Sequence, residues 1–220
     1  MIDASARSDE RLPQVPERTV LIQQAFRLEW LTVAWIMIEA LVAIGSGVIA
    51  GSLTLTAFGL DSVIELTSAA VLIWRLTEEL RRGEEFSRHA ERIASRSAGA
   101  LLFGLAAYIV LGAAWSLWTR HGGEFSITGL IVAAAAMPIM YSLARRKVTV
   151  ARQLGSRAMR ADAVESMTCG WLSLFVVVGL FANLLVAAWW IDAVTSLGIV
   201  WFVVKEAREA WSGEDCCSHE

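Results

Sequence analysis

Six carboxylates interrupt otherwise apolar stretches of this chain: Glu39, Asp61, Glu65, Asp162, Glu165 and Asp192. Asp61 and Glu65 are four residues apart, so on a helix they share a face and their oxygens can reach one ion. Glu165 and Cys169 repeat that spacing. Set side by side, Ala57-Phe-Gly-Leu-Asp61-Ser62-Val-Ile-Glu65 and Ala161-Asp-Ala-Val-Glu165-Ser166-Met-Thr-Cys169 agree at the alanine, at the serine, and in the acid just before that serine. A small residue, Gly59 or Ala163, stands two places ahead of the acid in each. Two such segments on helices running in opposite directions can bring four ligands together, as carboxylate metal sites in bundle cores do. The expected set is Asp61, Glu65, Glu165 and Cys169.

The elements that must hold these residues are membrane spans. The chain has 220 residues, 56% of them hydrophobic, against the 45–50% usual for a soluble domain. A hydrocarbon layer of about 30 Å takes about 20 helical residues to cross, so a chain of this length can cross about six times. Apolar runs lie at Trp30–Ala50, Leu53–Leu76, Ala98–Thr119, Phe125–Ala144, Ala161–Ala187 and Trp189–Val204. Four of the 19 Lys and Arg fall in the amino-terminal tail, six between Arg75 and Arg96, six between Arg145 and Arg160, and two after the last run, leaving Arg120 alone on the other side. By the positive-inside rule both termini are cytosolic. The expected fold is therefore an all-α membrane protein of six transmembrane helices in an inner or plasma membrane, with no soluble domain. Residues 1–27 lack the apolar core of a secretory signal and read as a cytosolic tail. Residues 28–205 form the transmembrane domain and 206–220 a short cytosolic tail.

With these boundaries the spans hold acids but no Lys, Arg or His in their interiors. An ionised side chain at the bilayer centre costs at least about 2.5–3.5 kcal/mol, so unpaired carboxylates there are protonated or hold a cation. Three further acids are candidates for the same work, each with a plainer reading. Glu39 reads equally as a neutral acid bonded to a neighbouring hydroxyl, Asp192 reads first as a helix-start acid favoured by the dipole, and Asp162 as a residue of the cytosolic mouth. Cys216, Cys217 and His219 in the tail could capture metal weakly, or simply belong to a disordered acidic end. Gly47 and Gly51 allow close helix contact, at a dimer seam or in packing. All three histidines (His89, His121, His219) lie outside the spans, which excludes haem and intramembrane metalloprotease chemistry. A net charge of −3 gives nucleic acid no basic face to bind.

The paired motifs resemble those of the cation diffusion facilitator family of divalent-metal transporters, in which the second and fifth of six spans each carry an acid or His, three residues, then Asp. Ala161-Asp162-Ala163 is similar to the lead-in that often precedes the fifth-span ligand, and Trp190-Ile191-Asp192 to the start of the sixth span. Here the usual His of the fifth-span motif is Glu165 and its Asp is Cys169, so the site has no imidazole. The family's carboxy-terminal cytosolic domain is expected to be absent, so that dimerisation would rest on the transmembrane helices of a homodimer. The resemblance implies a secondary transporter and no enzyme, with no resident cofactor. Its substrates would be divalent metal ions exchanged for protons. Three carboxylates and a thiol favour Zn²⁺ or Cd²⁺ over Mg²⁺ or Ca²⁺, with Co²⁺ and Fe²⁺ next. The alternative expectation is a membrane metal-binding or sensor protein that does not transport.

Overall fold

Peptide groups inside a bilayer have no water to bond, so apolar runs of this length close into helices. The computed structural model describes residues 15–82, 88–186 and 188–212, which contain six α-helices and no strand. They are α1 Val15–Ala50, α2 Leu53–Arg82, α3 Arg88–Thr119, α4 Ile127–Leu154, α5 Arg157–Val186 and α6 Ile191–Ser212. Five of them contain a stretch long and apolar enough to cross a membrane. In α6 the apolar stretch is cut short by Lys205, Glu206, Arg208 and Glu209. The chain is a multi-pass integral membrane protein, the class its composition implies.

At the ends away from the clustered basic residues, the helices stop within two residues of the apolar runs. At the basic ends they run on by about one to four turns. Charge ends a hydropathy run without ending a helix, because Lys, Arg and Glu are good helix formers. Thus α1 begins at Val15, inside the segment read as a tail, and α4 continues to Leu154, well past Ala144.

Helices α1, α2, α4 and α5 pack as a four-helix unit, while α3 and α6 form a pair laid against α2 and α5. Lipid-exposed and buried faces differ as expected for a membrane bundle. Leu41, Ile49, Leu111 and Leu185 point outward, whereas Ser62, Ser166, Ser173 and Ser196 are buried. Along α5 the inward stripe is Ala163, Ser166, Gly170 and Ser173, small enough for α4 to approach closely. The glycine pair of α1 is used inside the chain. Gly51, at φ +60, turns the chain from α1 into α2, and a Cβ on Gly47 would lie 2.7 Å from the backbone nitrogen of Thr56 on α2.

Candidate metal-transport site

The first shared structural feature is a polar knot where α1, α2 and α5 meet. Glu39 of α1 is wholly buried. It accepts hydrogen bonds from the Trp35 indole N–H at 2.7 Å, the Ser62 hydroxyl at 2.9 Å and, weakly, the Cys169 thiol at 3.6 Å. These donors are the ordinary means of keeping a buried acid satisfied. Glu39 thus stands behind the second-helix pair, tied to the serine between Asp61 and Glu65.

On the other side of that serine, Asp61 and Glu65 face a small cavity of about 10 Å³, room for about one water or one ion. Glu165, Cys169, Leu102 of α3 and Glu206 of α6 line it with them. The structure therefore gathers Asp61, Glu65, Glu165 and Cys169 around one space. The Ser68 hydroxyl neighbours Glu165, and the Cys169 thiol neighbours Glu65. Glu65 is only 4% exposed, and neither of its carboxylate oxygens has a hydrogen-bond partner. A buried carboxylate left this way is costly unless something else occupies its lone pairs. Among the described residues no three His, Cys, Asp or Glu side chains converge tightly enough to hold a metal ion as they stand. The donors ring the cavity and would have to draw inward around an ion.

The remaining candidates lie elsewhere. Asp192, at the start of α6, accepts hydrogen bonds from the Ser52 hydroxyl at 2.6 Å and the backbone N–H groups of Leu53 at 2.8 Å and Thr54 at 3.4 Å. It caps the amino terminus of α2, whose free N–H groups want an anion. Asp61 is eight residues along from Leu53, about 12 Å away along the helix axis. Asp162 faces α4, where its carboxylate is ion-paired with Lys147. Cys216, Cys217 and His219 lie outside the described residues.

Lys147 corrects the expectation that the bundle interior holds no base. It is 0% exposed and lies within the membrane-length part of α4. Its ammonium also donates to Glu29 of α1 at 3.1 Å and lies 3.4 Å from the Ser166 hydroxyl. Arg145 and Arg146 end the apolar run and mark a surface, yet both are exposed while Leu143, Ala144, Lys147, Val150 and Ala151 form the buried face. That three-and-four spacing was visible in the sequence, but a boundary drawn by charge alone hides it. Glu29 and Glu206 were missed for the same reason.

The serines that match between the two motifs have corresponding neighbours. Ser62 bonds a buried acid of α1, the helix preceding its own, and Ser166 meets a buried base of α4, the helix preceding its own. A family model for the cation efflux transmembrane domain matches residues 30–212, the six helices almost entirely. The chain belongs to the cation efflux family. This family comprises transporters, not enzymes, and is the one the paired motifs resemble. Among its relatives, an uncharacterized transporter of Synechocystis sp. is 31% identical over 163 residues, covering 71% of this chain and 52% of that protein. The cation efflux chain described here thus spans about half the length of the curated relative it matches.

Proposed function

We propose that this cation efflux protein moves divalent metal ions, zinc foremost, out of the cytosol in exchange for protons. The observation that carries the reading is Glu65: a carboxylate with both oxygens unpartnered, 4% exposed, facing a cavity that it shares with Asp61, Glu165 and Cys169. Three carboxylates and a thiolate suit Zn²⁺ or Cd²⁺, since sulfur disfavours ions that want oxygen alone. Ionised together, these four groups carry four negative charges against two on the metal. The cavity without metal therefore holds protons, and metal entry releases them. If protons from the far side reload the acids and expel the ion, alternating access gives antiport.

Inside-out vesicles under an imposed proton gradient test this. The parent chain takes up Zn²⁺, and Asp61→Asn and Glu65→Gln lose uptake. Transport by Asp61→Asn at the parental rate overturns the site. Saturable zinc binding by the parent with no uptake replaces the carrier with a sensor.

A further inference from the structure

The two carboxylates of the second-helix motif and the two donors of the fifth come from the four-helix unit, but the cavity has another wall. That wall belongs to the α3–α6 pair, through Leu102 and Glu206. Glu206 sits in a charged stretch that reads as a solvated tail, Lys205-Glu206-Ala-Arg208-Glu209. Helical geometry separates these charges. Ile199, Val203 and Ala207 form the buried face of α6, and Glu206, three residues after Val203, lies at its edge, half-buried. Lys205 is 62% exposed and pairs with Glu209 at 3.9 Å, and Arg208 is exposed. Among the described residues no Lys, Arg or His pairs with Glu206. Its electrostatic neighbours include Asp61, Glu65 and Glu165, all of the same sign.

An acid placed to face three others, with its basic neighbours Lys205 and Arg208 exposed on other faces of the helix, adds another carboxyl group to the cavity wall and no counter-charge. The unsatisfied oxygens of buried Glu65 in the same cavity are the independent sign that a cationic guest is wanted there. We infer that Glu206 is a fifth coordinating group of the metal site, supplied by α6, so that a bound divalent cation joins the α3–α6 pair to the four-helix unit. The tetrad of α2 and α5 is then incomplete as a description of the site. An ion that draws donors inward from both walls narrows the seam between the two groups of helices, and its departure lets the seam widen. This inference rests on the metal-site reading of Asp61, Glu65, Glu165 and Cys169.

The test uses the purified full chain in detergent, with Zn²⁺ or Cd²⁺ alone as the probe and metal-dependent thermal stabilisation as the readout. Glu206→Gln is expected to raise the Zn²⁺ concentration for half-maximal stabilisation by about tenfold or more, the scale on which groups around a bound metal act. Glu209→Gln, on the same helix and paired with Lys205, is expected to titrate like the parent. Glu206→Cys separates direct coordination from a distant charge effect, because a thiolate ligand shifts preference towards Cd²⁺. Its Cd²⁺ to Zn²⁺ preference should exceed the parent's. A parental titration for Glu206→Gln, or an unchanged metal preference for Glu206→Cys, overturns the inference while a loss of stabilisation in Glu65→Gln keeps the underlying site. Parental stabilisation in Glu65→Gln overturns both.

Discussion

Lys147 offers the sharpest check on how the bundle interior is balanced, through its replacement by methionine, which keeps the length and removes the charge. In the native chain the ammonium serves Glu29 at 3.1 Å, Asp162, and Ser166 at 3.4 Å, with Lys147 and Glu29 both 0% exposed. Lys147→Met strands two buried carboxylates at once. Removing one partner of a buried pair costs about 3–5 kcal/mol, because the remaining charge keeps its desolvation penalty. At about 2–4 °C per kcal/mol for a chain of this size, the melting temperature should fall by about 6–20 °C. Glu29→Gln sets the contrast. One oxygen of Glu29 already has no partner, and the Lys147–Asp162 pair survives the change, so the loss should stay near 1 kcal/mol, the net scale of a single hydrogen bond. Adding Lys147→Met to a Glu29→Gln/Asp162→Asn background should cost much less than in the native chain, since no acid is then left unpaired. Tryptophan fluorescence of the ten indoles during a thermal ramp reads all of these variants. Should Lys147→Met melt with Glu29→Gln, or lose as much in the neutral background as in the native one, the counter-charge argument is refuted.

Three other outcomes follow from separate contacts. Asp192→Ala removes the acceptor for the Ser52 hydroxyl and the Leu53 and Thr54 N–H groups. It should cost about 1–2 kcal/mol, the range for a lost helix cap, with hydrogen exchange rising first at the start of α2, and unchanged exchange there would count against the cap. Gly59→Ala would place a Cβ 2.6 Å from Ile44 Cγ1 and 2.8 Å from the Ile44 nitrogen. Overpacking of that kind costs about 1–3 kcal/mol, and because Gly59 precedes Asp61 by two, zinc stabilisation should weaken as well. A fully parental melting curve would show that the α1–α2 contact is looser than described. Cys169→Ser replaces the soft donor with a hard one, so binding measurements should show a greater loss for Cd²⁺ than for Zn²⁺. Equal losses would remove the thiol from the coordinating set.

Much of this arrangement was legible before any coordinates, for reasons of period and chemistry. Asp61 with Glu65 and Glu165 with Cys169 repeat at one helical turn, and a matching alanine and serine fix the register of the two motifs, so their meeting at one cavity follows from pattern. The helix ends away from the clustered basic residues are also legible. Turn chemistry resides there, in Gly51 with its positive φ and in Ser126, whose hydroxyl accepts from the Gly129 N–H at 3.2 Å. The basic ends are not, because charge ends a hydropathy run without ending the helix or turning its side chains away from the bundle. Three residues show this. Glu29 falls one position before the first apolar run, Lys147 follows two exposed arginines, and Glu206 lies between two exposed bases with Ala207.

Each of those three positions nonetheless keeps step with a buried apolar stripe: Glu29 between Ala25 and Ile36, Lys147 between Leu143 and Val150, Glu206 beside Val203 and Ala207. Facing direction, which is set by periodicity, and depth, which is set by hydropathy, are separate quantities, and only the first decides whether a charge enters the bundle. The distinction has a functional consequence. Lys147 lies across from Ser166, one residue beyond Glu165, so a resident cation is held within about one turn of the acids that face the cavity. Its two carboxylate partners, Glu29 and Asp162, hold it on the α1–α4 side. Were Lys147 paired with Glu165 instead, it would offset one carboxylate of the proposed metal site. The ion pairs with Glu29 and Asp162 therefore join three helices, α1, α4 and α5, and hold the ammonium on the α1–α4 side of the acids that face the cavity.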